Sequence, residues 1–187
     1  MDLENRLSPL PTIHPWSIES MGHGLQAAAY LSSVVSGSMV YINAALLFPF
    51  RLSIPITVLR TFTYNGTAVA GTIDVGVYTD EGGTSNTLVR MFSSTPKAQS
   101  GTSVIQVNSA LTGTTQIGPG CYYLAIAFSS GSATLFQKTF STLYFAEMYG
   151  ARYFETGSAT LPATISSFTL ATLTQIPCFG ISTRSFV

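Results

Sequence analysis

Charge is what this chain has least of. Only 9% of its 187 residues are charged, eight acidic against eight basic, whereas an ordinary soluble domain carries roughly a quarter. Without net charge, long-range attraction cannot steer the chain to nucleic acid or to an anionic membrane surface, and no nucleic-acid partner is expected. Histidine is as scarce. His14 and His23 are the only two, both lie near the amino terminus, and no zinc-ligand set surrounds them. Cys121 and Cys178 are too few for a disulfide scaffold, so both are expected to be reduced and at least partly buried. The most apolar stretch, residues 34–50, is interrupted by Ser36, Gly37, Ser38, Asn43 and Pro49 and falls short of a membrane span. Met1-Asp2-Leu3-Glu4-Asn5-Arg6 lacks the basic start and apolar middle of a secretory signal. No membrane insertion, metal or cofactor is expected.

What remains is 46% hydrophobic, set among Ser, Thr and Gly, and it divides into two regions. Residues 1–37 show no lasting period of two. Pro9, Pro11 and Pro15 each remove a backbone donor and hold residues 9–16 extended. This is read as an anchoring arm, with a short helix over residues 24–32 carried by Leu25, Ala27, Ala28, Ala29, Tyr30 and Leu31. Residues 38–187 carry short alternating segments punctuated by glycine, proline and asparagine, the pattern of an all-β fold.

One strand is expected from Ile56 to Tyr64, with Ile56, Val58, Phe62 and Tyr64 on one face, closed by an Asn65-Gly66 turn. Another places Ile73, Val75 and Val77 opposite Asp74, Gly76 and Tyr78. In a third, Tyr122, Leu124, Ile126 and Phe128 stand opposite Ala125 and Ala127, which suggests burial on both faces. With strands opening near Tyr41 and near residues 87–92, 103–107, 133–138 and 177–182, the total reaches about eight, the number of a jelly roll. Residues 141–154 fit no single period and read as an aromatic loop. Its Tyr144, Tyr149 and Tyr153 either plug the core or form a contact surface.

Chemistry is thinly supplied. Asp80 and Glu81 fall in a glycine turn. Asp74, mid-strand, either faces solvent or pairs with an arginine such as Arg60. A hydrolase built on Asp74 or Glu147 is the enzymatic reading, and it is the weakest. Asn65-Gly66-Thr67 is a glycosylation sequon, here read as a turn.

Gly118-Pro119-Gly120-Cys121-Tyr122-Tyr123-Leu124-Ala125-Ile126-Ala127, together with Pro49-Phe50-Arg51-Leu52, Ile56-Thr57-Val58-Leu59-Arg60 and Asp74-Val75-Gly76-Val77-Tyr78, resembles the jelly-roll modules of structural proteins in tailed bacteriophage virions. The resemblance covers about residues 41–136. It implies a non-enzymatic virion component, made in the host cytoplasm, placed on the tail, at the fibre attachment or on the capsid exterior, and commonly trimeric. It supplies no catalytic residues. The arm, with Pro9, Pro11, His14, Pro15 and Trp16, would then join other virion proteins or a second copy and order on binding. The alternative is a receptor-binding module that grips a host glycan through loops near Tyr78, Tyr123 and Tyr149.

Overall fold

The computed structural model describes residues 12–13, 34–38, 41–52, 54–80, 87–139, 152–166, 168–170 and 175–183, and their regular structure is entirely β. The strands are β1 (Val34–Ser38), β2 (Ala44–Leu52), β3 (Arg60–Tyr64), β4 (Thr72–Asp80), β5 (Thr87–Ser93), β6 (Ile105–Asn108), β7 (Gly120–Phe128), β8 (Thr134–Thr139), β9 (Arg152–Glu155), β10 (Thr164–Ser166), β11 (Gln175–Pro177) and β12 (Phe179–Ser182). Two-residue segments are named by their residues.

The main sheet runs β5-β4-β7-β2-β9, antiparallel throughout. Facing it are two smaller antiparallel sheets, β11-β8-β1 and β12-β3-β6. These two meet at Cys178, whose N–H donates to the Phe136 carbonyl at 2.8 Å and whose carbonyl accepts from the Tyr64 N–H at 2.9 Å. An antiparallel bridge between Asn65 and Leu135 continues the join. The chain is therefore an all-β, sandwich-like fold built from several antiparallel sheets.

Alternation explains the core. Leu46, Phe48, Val75, Val77, Leu124 and Ile126 point from the main sheet onto Leu135, Ile176, Phe179 and Ile181 of the opposite layer. Phe48 and Phe179 meet edge to face at 5.6 Å. Each such side chain contributes about 1.5–3 kcal/mol by leaving water. The other face of the main sheet is also covered: Ala45, Leu47, Tyr78, Ala125 and Ala127 pack with Leu88, Leu161 and Ile165 in a second, smaller core. The expectation that β7 is buried on both faces, small residues on one side, is met.

Several expectations are corrected. The segment from Ile56 to Tyr64 is not one strand but Ile56–Thr57 and β3. Ile56 and Val58 enter the core, whereas in β3 it is Thr61 and Thr63 that share a face with Ile181 and Phe179. The face switches where Val58 and Leu59 leave the ladder to donate to Thr115 and Ser182 carbonyls. The strand ends at Tyr64, just before Asn65-Gly66 as expected, and from there the chain crosses to β4 in the other layer. Within residues 141–154, Tyr153 and Phe154 lie on β9 beside Leu46 and Ala45 of β2. Cys121 is exposed rather than partly buried, while Cys178 is buried, and both are free thiols. β1 begins at Val34, ahead of the expected boundary at 37, and pairs along β8. The expected helix over 24–32 and the Asp80-Glu81-Gly82-Gly83 turn beyond Asp80 lie outside the described residues.

Candidate functional site

A buried polar cluster surrounds Asp74. This residue is fully buried, on the face of β4 opposite Ile73 and Val75, and it pairs with neither solvent nor Arg60. Its Oδ2 accepts the Leu161 backbone N–H at 3.0 Å and its Oδ1 accepts the Ser94 hydroxyl at 3.2 Å. Around it the strap 161–163 is held at further points. The Arg90 guanidinium donates to the Leu161 carbonyl, the Tyr78 hydroxyl to the Pro162 carbonyl at 2.7 Å, and the Arg90 N–H to the Ala163 carbonyl at 2.9 Å. Gly76 makes room for the strap: a Cβ there would lie 2.5 Å from the Phe92 carbonyl oxygen and 3.0 Å from Leu161 Cδ1.

Burial pushes the Asp74 carboxyl above its ordinary value, opposed by the Leu161 N–H, Ser94, Arg90 and Ser93. Burial likewise raises the Tyr78 phenol, with Arg90 opposing. Both groups hold backbone in place. With one carboxylate oxygen on Leu161 and the other on Ser94, the geometry is that of a clamp. Glu147 lies outside the described residues.

A second cluster is uncharged. The Asn65 side-chain amide donates to the carbonyls of Ser100 and Gly101 at 2.7 and 3.0 Å and to Gln106 Oε1 at 3.0 Å, while its Oδ1 accepts from Thr63 and Gln99 at 3.2 Å. Asn65 is fully buried. The sequon asparagine is thus a structural amide that pins the loop 98–104 to the layer.

Tyr153 is the one residue of the expected tyrosine surface among the described residues; Tyr144 and Tyr149 lie outside them. Its ring stacks on Tyr41 with centroids 4.9 Å apart and planes at 29°. Both rings are half-buried against the core. Beside them opens a cleft of about 330 Å³ lined by Tyr41, Ile42, Asn43, Ala44, Tyr153, Glu155 and Gly157. Asn43 adopts φ 54°, a left-handed conformation that asparagine tolerates better than most residues. Its carbonyl accepts N–H groups from Thr156 at 2.8 Å and Gly157 at 3.0 Å. Of the other tyrosines expected near a ligand, Tyr78 is fully buried, and Tyr123 leans on Phe168 at 5.9 Å.

Of the arm, Thr12–Ile13 is described. It pairs in parallel with the end of β2, Thr12 beside Arg51 and Ile13 beside Leu52. On this side of β2, β9 covers residues 44–47 and the arm covers 51–52, and neither pairs residues 48–50. Pro49 sits in that gap, where its missing donor costs no ladder bond to either neighbour. Pro9, Pro11, His14, Pro15 and Trp16 lie outside the described residues.

Among the described residues no group of three or more His, Cys, Asp or Glu could hold a metal ion, and no helix is long and apolar enough to cross a membrane. No family model, curated protein or solved structure matches the chain.

Proposed function

We propose that this chain is a non-enzymatic structural component of a phage virion, a jelly-roll-like sandwich that assembles as a closed oligomer, a trimer by preference, through its N-terminal arm. The observation that carries the reading is the pairing of Thr12–Ile13 with Arg51–Leu52, made here within a single chain and read as the contact that copies exchange. It adds a strand to the edge of β2 beyond the stretch that β9 covers, the mode by which one chain recognises another through backbone alone.

Within one chain the pairing is marginal, and a marginal strand is one that a neighbour's sheet can also accept. Closing a loop over the 20 residues between Ile13 and Val34 within one chain costs about 2.7 kcal/mol by chain entropy alone. The hydrogen bonds of a two-residue pairing contribute about 0.5–1.5 kcal/mol each. Within one chain the two nearly cancel. Exchanged around a ring, the same bonds recur at every interface and add to whatever contacts the sandwiches make with one another. Those same residues reach up to ~70 Å when extended, ample for a neighbouring subunit.

The buried Asp74 clamp and the Asn65 lattice support the reading, since both groups use their polar atoms on the fold itself. Sedimentation of the full chain against an Ile13→Pro variant tests it. The wild type should run as an oligomer and the variant as a folded monomer, whereas equal masses would contradict the role given to the arm.

A further inference from the structure

We infer that the cleft between Tyr41 and Tyr153 is a binding site for a neutral pyranose, the terminal or internal unit of a glycan. The site is independent of the arm and of the assembly it mediates. Its volume, about 330 Å³, lies at the small-ligand end of the range for binding clefts, roughly 300–1,000 Å³.

Its lining matches the two characters of a sugar ring. Tyr41 and Tyr153 are stacked on each other and only partly buried, and Ile42 beside them keeps 48% of its surface in water. This is the apolar platform that the C–H face of a pyranose covers, the hydrogens meeting the electron-rich faces of the rings. At the rim, the exposed Glu155 carboxylate and the exposed Asn43 amide supply one strong acceptor and one donor–acceptor pair for vicinal hydroxyls.

Among the described residues of the lining, Glu155 alone is charged. It repels anionic sugars and selects neutral ones. The backbone is also set in advance. Asn43 donates its N–H to the Phe128 carbonyl at 2.8 Å and accepts from Thr156 and Gly157, while β9 pairs Glu155 with Ala44. A rigid rim lowers the ordering cost of binding.

The test is a titration of the full chain with D-galactose, D-glucose and N-acetyl-D-glucosamine, followed by amide NMR, with N-acetylneuraminic acid as the anionic comparison. At least one neutral sugar should shift the amides of Asn43, Thr156 and Gly157. Its Kd should be on the order of millimolar, as suits a ligand of about a dozen heavy atoms. The anionic sugar should leave them unmoved. Glu155→Gln should weaken binding about tenfold. Asn43→Gly, which keeps the left-handed backbone while removing the amide, should do the same, and both variants should melt like the wild type. The inference is overturned if no neutral sugar moves these amides at about 100 mM, if shifts fall elsewhere, or if both variants bind as the wild type does. It is also overturned if the cleft amides broaden with protein concentration and no sugar, which would assign the cleft to a second copy of the chain.

Discussion

Asp74 Oδ2 accepts the backbone N–H of Leu161 at 3.0 Å across 87 residues of sequence, and with the bonds from Tyr78 and Arg90 it ties the strap 161–163 to the main sheet. A buried carboxylate in that position opposes its own ionisation. Because burial raises its folded-state value above the unfolded one, its contribution to stability is fully present below the unfolded value, ~3.9, and is lost as pH rises through the folded value. Asp74→Asn, with an amide oxygen that can still accept from Leu161, should therefore gain stability relative to wild type between about pH 4 and pH 7. Asp74→Ala, which leaves the Leu161 N–H unpaired, should lose about 1–3 kcal/mol at every pH. Urea melts of the three proteins across that range check both signs.

Asn65 should prove as demanding. Replacing it by Asp removes the donor shared by the Ser100 and Gly101 carbonyls and Gln106 Oε1 and brings a charge into a fully buried position. A loss of at least about 2–3 kcal/mol is expected, with raised hydrogen exchange in residues 98–104 as the local signature. An unchanged melt would show that the loop holds without the amide.

The two thiols should separate cleanly by reactivity. Cys121 is exposed, while burial pushes the Cys178 thiol up to about 12 and removes it from solvent. Since the thiolate is the reactive form, a thiol reagent at neutral pH should consume one equivalent per chain at once and the second only as the protein unfolds. Two fast equivalents would place Cys178 in a looser layer than described.

How much of this was legible in the sequence follows from what alternation encodes. A period of two assigns side chains to faces, so Ile73, Val75 and Val77, and the bulky and small sides of β7, were readable. Alternation does not say what covers a face. Asp74 sits opposite Ile73 and Val75, as its position dictates, but the strap that buries it comes from 87 residues away. The switch between Val58 and Thr61 was hidden for the same reason, because it depends on hydrogen bonds to Thr115 and Ser182. Tyr153 and Phe154 looked aperiodic because their strand spans only Arg152–Glu155, too short for a pattern. The cleft could not be read at all: Tyr41 and Tyr153 become neighbours only through the pairing of β9 with β2.

The central claim is that the arm of one copy lies on the sheet of another. A Thr12→Cys, Arg51→Cys pair in a Cys121→Ser background tests it most directly, because adjacent strands lie about 4.8 Å apart, within reach of a disulfide. Thr12 and Arg51 are partners in register. Oxidised and run without reductant, the protein should form covalent oligomers closing at the trimer. A cross-linked chain that still migrates as a monomer would contradict the account, because each arm would then rest on its own sheet.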